Sequence, residues 1–189
     1  MTRDNSNYLN KIITIPNILS FFRILLIPFI IWSYCFKSNY TASLVVILIS
    51  AITDVVDGFI ARKFNMISNF GKIFDPLADK LTQITIISCL ITRYKIMLVV
   101  LLLLICKDLI VSIFSYIVVK KKNIVTGAKW YGKVCTILLF FMFTFHIAWI
   151  NIPNLISCTM IFASTICIIT TGTLYVIMDV RILNNKTFI

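Results

Sequence analysis

Four aspartates, Asp54, Asp57, Asp75 and Asp79, stand close together in the stretch DVVDGFIARKFNMISNFGKIFDPLADK. They are four of only seven acidic residues in the chain. Asp54 and Asp57 lie three residues apart and Asp75 and Asp79 four apart, so on helices each pair shares one face. A short turn around residues 63–68 would bring the two helices back as an antiparallel pair, with both carboxylate pairs converging from facing helices. Such carboxylates repel one another unless cations hold them. Hard divalent cations with oxygen ligands suit the set. Two such ions about 3.5–4 Å apart clamp the attacking and leaving oxygens of a phosphoryl transfer. The residue types and spacing therefore point to a two-metal phosphoryl-transfer site.

Three small residues and one arginine accompany the aspartates. Gly58 and Ala61 follow the first pair, and Gly71 precedes the second by one turn. Glycine inside a helix is about 1 kcal/mol less stable than alanine there. A bulky ligand approaching the backbone accounts for that, and so does close packing of membrane helices through small residues. Arg62 is always charged and presents a planar fork suited to phosphate. At a membrane interface the same side chain can snorkel into water.

The elements that must position these residues are membrane helices. The chain has 189 residues, 60% of them hydrophobic, and a mean hydropathy of +0.99, far above that of an ordinary soluble domain. Long unbroken apolar runs favour helices over the weak alternation of a membrane β-barrel. The expected fold is an all-α membrane protein of six transmembrane helices. The spans lie near Ile15–Phe36, Tyr40–Phe64, Asn69–Thr92, Ile96–Val119, Ala128–Ile150 and Leu155–Leu183. In domain terms, residues 1–14 form a short interfacial helix, 15–183 the catalytic bundle and 184–189 a polar tail. The N-terminus is polar, and its first apolar run is long enough to stay as a span, so no cleaved signal peptide is expected.

Charge supplies the orientation. The net charge is +11. The apolar content leaves no soluble basic surface for nucleic acid, which favours cytoplasmic loops and an anionic ligand. With the N-terminus in the cytoplasm, all but Lys37, Arg93 and Lys95 of the 18 basic residues fall on the cytoplasmic side. The four aspartates then sit at the cytoplasmic ends of spans two and three, in company with Arg23, Lys107, Lys129, Lys133 and Arg181. Charges at that depth call for a polar cavity open to the cytoplasm. The expected location is the cell membrane, with the active site facing the cytoplasm. The six cysteines form no CxxC pair and read as small packing residues, and His146, alone in span five, reads as structural.

The order D-x2-D-G-x2-A-R, eight residues, then G-x3-D-x3-D resembles the signature of the CDP-alcohol phosphatidyltransferase family. It does so at every fixed position: Asp54, Asp57, Gly58, Ala61, Arg62, Gly71, Asp75 and Asp79. The segments IPNILSFFRILLIPF, FDPLADK and GAKWYGKVCT look like the phosphatidylglycerophosphate synthase branch. The resemblance implies transfer of a phosphatidyl group from CDP-diacylglycerol, within membrane lipid, onto an alcohol, with release of CMP. It implies two Mg2+ or Mn2+ ions held by Asp54, Asp57, Asp75 and Asp79, with Asp79 also the general base on the acceptor hydroxyl. Gly58, Ala61 and Gly71 would admit the CDP moiety, Arg62 would lie near its phosphates, and the assembly would be a homodimer.

The acceptor is read from residues outside the signature. Lys107, Lys129, Lys133 and Arg181 form a cluster of cations, which suits a small phosphorylated alcohol such as glycerol 3-phosphate. The branches that use glycerol 3-phosphate usually carry an arginine near Lys107, and lysine is a point charge where arginine is a fork. Phosphatidylglycerol, inositol phosphate and serine stay open as acceptors. A cation-coupled transporter is the reading from another class. It would spread carboxylates near the midplane over an inverted repeat, and the chain has no such repeat.

Overall fold

The structure is a computed structural model that describes residues 14–64, 68, 70–122 and 129–184, without the side chains of Arg62, Lys72 and Ile73. The expected interfacial helix before Thr14, most of the turn between spans two and three, and the tail after Asn184 lie outside the described residues. The chain divides into two compact units, residues 1–93 and 94–189.

The first unit is built on α1 (Ile15–Ile31), which runs on as a π-helical turn over Trp32–Phe36. Pro16 sits at the start of α1, where its missing N–H interrupts no helical bond. A turn through Ser38, at φ 50°, reverses the chain into α2 (Tyr40–Lys63). Asn39 caps α2 by accepting from the Ala42 backbone N–H at 3.0 Å. The Ser33 and Ser43 hydroxyls, 2.8 Å apart, tie the two helices beside this turn. The third helix of the unit, α3, covers Gly71–Ile91.

Packing in this unit differs from the direct α2–α3 pairing that the aspartate spacing suggests. Among the described residues, α1 packs on both α2 and α3, and those two make no comparable contact with each other. The reason lies in the faces of α1. Asn17, Ser20 and Arg23 recur every third residue and are all buried, whereas Ile18, Phe21, Phe22, Leu25 and Phe29 are exposed. Apolar solvent reverses the usual pattern, because lipid takes the apolar face and protein takes the polar one.

The second unit contains α4 (Met97–Lys122), α5 (Trp130–Ala148) and α6 (Asn154–Asn184), with α6 packed against both of the others. Lys120, Lys121 and Lys122 close α4, where the helix dipole favours positive charge. His146 is fully buried in α5. Its Nδ1 lies 2.8 Å from the Met142 carbonyl oxygen and its Nε2 3.0 Å from Ser157 Oγ, so it pins α5 to α6. The Tyr94 ring meets it edge-on at 5.1 Å. This is the structural histidine that its isolation in span five suggests. All six cysteines are free thiols.

The described residues are mostly helical, with short turns between the helices, and the observed helix ends fall within about three residues of the expected spans. Among the described residues, five helices are long and apolar enough to cross a membrane: Ile15–Phe36, Tyr40–Ala61, Met97–Lys122, Trp130–Ala148 and Asn154–Asn184. The chain is thus a multi-pass membrane protein. The sixth expected span is α3, which has 21 residues but carries Asp75, Asp79 and Lys80 in its first half. Those charges lower its hydropathy, and they are also what the site requires.

Candidate active site

The first unit gathers all four aspartates around two side chains of α1. Arg23 is buried at 2% exposure and reaches three of them. Its Nη1 lies 2.7 Å from Asp54 Oδ1, its Nη2 lies 2.5 Å from Asp57 Oδ2, and Nη1 also pairs with Asp79 Oδ1. The fourth carboxylate is held by Ser20, whose hydroxyl donates to Asp75 Oδ1 at 2.5 Å and stands 3.3 Å from Asp57 Oδ2. Asp54 and Asp57 come from α2, Asp75 and Asp79 from α3, and α1 joins the pairs. An arginine buried in a membrane helix needs such partners, because an unpaired charge there is strongly destabilising.

A second set of hydrogen bonds fixes the start of α3. Asn17 Nδ2 donates to Ser68 Oγ at 2.9 Å, and Ser68 Oγ in turn accepts from the backbone N–H of Gly71 at 2.9 Å. This satisfies one of the N–H groups that the first turn of a helix leaves open. Gly71 is where the close approach happens. A Cβ there would lie 2.5 Å from Asn17 Oδ1, 3.0 Å from Ser68 Oγ and 3.4 Å from Asp75 Oδ2. Of the two accounts of Gly71, ligand access and helix packing, this geometry supports packing: the space beside it is filled by α1.

The quartet is closed on one side and open on the other. The Asp57 side chain is 6% exposed, whereas those of Asp54 and Asp79 are 47% and 40% exposed. A ligand can therefore reach Asp54 and Asp79 while Asp57 and Arg23 stay covered. Gly58 and Ala61 continue α2 as half-buried residues, and the backbone of Arg62 lies in its last turn. The donor set fits hard divalent cations, with four carboxylates, all oxygen, at one place. Among the described residues no three acidic, histidine or cysteine side chains already surround a common point as metal ligands would. Asp54, Asp57 and Asp79 close on the Arg23 guanidinium instead, and Asp75 on the Ser20 hydroxyl.

The second unit holds the other four expected site residues, and α6 organises them. Lys107 on α4 is 21% exposed, pairs through Nζ with Asp108 Oδ1 at 3.0 Å, and lays its stem against Gly172. A Cβ on Gly172 would come within 2.9 Å of Lys107 Cγ. Lys129, just before α5, donates its backbone N–H to the Tyr175 hydroxyl at 3.0 Å. Lys133 is exposed one turn further on, and Arg181 is exposed near the end of α6. From Gly172 to Arg181 is about 14 Å of helix at a rise of 1.5 Å per residue. Lys107, the backbone of Lys129 and Arg181 thus border one short stretch of α6. Asp179, fully buried in that stretch, accepts from the Ser115 hydroxyl at 3.1 Å.

The aspartate spacing alone does not reveal Arg23, Ser20, Asn17 and Ser68 as members of the site. A signal for three of them exists in the sequence. Asn17, Ser20 and Arg23 are the only strongly polar residues of an otherwise apolar run, and they fall at three-residue intervals. Gly172 carries no comparable signal, since nothing in its neighbourhood marks which residue will press on it.

Comparison with known proteins places this geometry in a lineage. Residues 13–171 match the profile of the CDP-alcohol phosphatidyltransferase family. A curated relative from Aquifex aeolicus is 35% identical over 127 residues, covering 66% of this chain and 70% of the relative. It is named CDP-diacylglycerol--glycerol-3-phosphate 3-phosphatidyltransferase. The Escherichia coli K12 protein of the same name is 31% identical over 128 residues, 65% of this chain and 70% of the relative. A Schizosaccharomyces pombe fusion protein named cardiolipin synthase (CMP-forming) / mitochondrial hydrolase is 41% identical over 109 residues. That match covers 57% of this chain and 18% of the relative.

Proposed function

The chain belongs to the CDP-alcohol phosphatidyltransferase family, and from that premise we propose how its residues divide the reaction. It is an enzyme of phospholipid biosynthesis that transfers the phosphatidyl group of CDP-diacylglycerol to glycerol 3-phosphate, giving phosphatidylglycerophosphate and CMP. The relatives' shared name supports that acceptor. The observation that carries the site assignment is the convergence of Asp54, Asp57, Asp75 and Asp79 on the two α1 side chains Arg23 and Ser20.

Two divalent cations, Mg2+ or Mn2+, held by the four aspartates would neutralise the pyrophosphate of the donor and the charge that develops as it is cleaved. Gly58 and Ala61 leave room along α2 for the cytidine nucleotide, Arg62 meets its phosphates, and Gly71 lets α1 close on the start of α3. Asp79 takes the proton of the acceptor hydroxyl, a role its 40% exposure permits. The acceptor oxygen forms its new bond at the lipid-bearing phosphorus. The bond from that phosphorus to the bridging oxygen breaks, and CMP leaves with the electron pair. No covalent enzyme intermediate is needed, so positioning and charge neutralisation supply most of the rate.

Lys107, Lys129, Lys133 and Arg181 hold the phosphate of the acceptor. The enzyme works in the cell membrane as a homodimer, with its site facing the cytoplasm, where water-soluble acceptor and CMP are exchanged. The test is a panel of radiolabelled acceptors given to purified protein with CDP-diacylglycerol: glycerol 3-phosphate, phosphatidylglycerol, inositol phosphate and serine. Label should enter lipid from glycerol 3-phosphate. Label entering only from phosphatidylglycerol would move the enzyme to the activity in the fission yeast relative's name. Label from none of the four would refute the assignment.

A further inference from the structure

Arg23 stands where a carboxylate quartet built for divalent cations would be expected to meet its metals. Its guanidinium pairs with Asp54, Asp57 and Asp79, three of the four acids. The manner of holding is uneven. Nη2 makes a directed hydrogen bond to Asp57 at 2.5 Å, whereas Nη1 is shared between two carboxylates, those of Asp54 and Asp79. One edge of the fork is thus anchored to the covered acid, and the other is divided between the two half-exposed acids. A cation approaching from the open side meets Asp54 and Asp79 first, and these are the carboxylates that share one nitrogen of Arg23.

We propose that Arg23 is the resident counter-cation of the site: it holds Asp54, Asp57 and Asp79 together before divalent metal enters, and it yields Asp54 and Asp79 to the metal while keeping Asp57. The proposal rests on the metal-binding reading of the quartet. Arg23 is a positioning residue here, since it acts through the aspartates and touches neither substrate. Arginine suits the task because it cannot lose its proton and its fork spans several acids at once. Without it, four acids would face one another in a membrane helix bundle with no cation among them. The same attraction sets a limit on metal affinity, because every bound divalent ion must displace part of the guanidinium's hold.

That competition gives a sign that an ordinary structural role does not. Removing an ordinary packing arginine loosens a site and weakens its metal, whereas removing a competitor tightens it. Mn2+ binding is measured by the electron paramagnetic resonance of free ion, on detergent-purified protein kept in Mn2+ through purification and then dialysed. Arg23→Gln is expected to bind Mn2+ about tenfold more tightly than wild type, midway between the worth of an exposed and of a buried ion pair. Its thermal midpoint in EDTA should be lower than wild type, and the rise on adding Mn2+ should be larger. Arg23→Lys keeps the charge without the fork. It should fall between the two, and it carries the same measurement if the glutamine variant does not fold. Equal or weaker Mn2+ binding in the variant that folds, beside lost binding in Asp57→Asn, overturns the role of Arg23 alone. Equal Mn2+ binding by wild type and Asp57→Asn overturns this role together with the metal reading beneath it.

Discussion

The two units handle charge inside a membrane protein in opposite ways. In the first, acids from α2 and α3 meet one arginine and one serine of α1, and each of the four carboxylates has a partner there. In the second, Lys129, Lys133 and Arg181 are exposed, and Lys107 pairs only with its neighbour Asp108 among the ion pairs of the described residues. Interlocked charges fix geometry, because moving one leaves another buried and unpaired. Loosely held cations leave geometry adjustable and supply attraction instead. In the proposed division of the reaction, the donor chemistry, which must align a pyrophosphate, falls to the first kind. Capture of a small diffusing phosphate is served well by the second.

Substitutions that respect or cross this division test it. The largest effect is expected from Asp57→Ala, which removes the covered acid that holds Arg23 and that the proposed mechanism assigns to the metals. CMP release should fall by about a thousandfold or more, while the protein still inserts and purifies. Turnover near the wild-type rate would break the contrast at its root. Next is Gly71→Ala, whose Cβ would crowd Asn17 and Ser68. Overpacking there should destabilise the first unit by about 1–3 kcal/mol, read as a lower thermal midpoint.

Smaller and more selective effects belong to the second unit. Lys133→Ala should raise KM for the acceptor about tenfold and leave KM for the lipid donor near its wild-type value, the mark of a lost contact to one substrate. A rise in the donor KM instead would move Lys133 to the nucleotide side. Smallest is Gly172→Ala, which presses on the flexible stem of Lys107 and not on a hydrogen-bonded network. Its acceptor KM should rise by about two- to threefold with no change in thermal midpoint, because a free lysine stem yields where Asn17 and Ser68 do not.

The helices were legible because hydropathy marks them directly: apolar runs end where the polar turns begin, as at Ser38–Asn39 and Asn151–Asn154. The acids of the site were legible because their spacing on a helix states which residues share a face. Spacing within one helix does not say which other helix that face meets. For that reason α1 enters between α2 and α3 without notice from the aspartates, and Arg23 becomes their partner. Depth and side put Arg23 in company with the acids, but which acids it meets, and that Asn17 and Ser20 join it, is set by the packing. Pairings such as Lys107 with Gly172 leave no trace in either local pattern, since a glycine's neighbour across a helix interface is set by the crossing of the helices.

The central claim is that metal held by Asp54, Asp57, Asp75 and Asp79 drives the transfer. It is tested most directly with purified protein, CDP-diacylglycerol and radiolabelled glycerol 3-phosphate, first in EDTA and then with Mg2+ or Mn2+ added back in excess. The account predicts no labelled lipid in EDTA, and on adding metal one CMP released for each labelled lipid formed. Transfer that continues in EDTA at the rate seen with Mg2+ would contradict it.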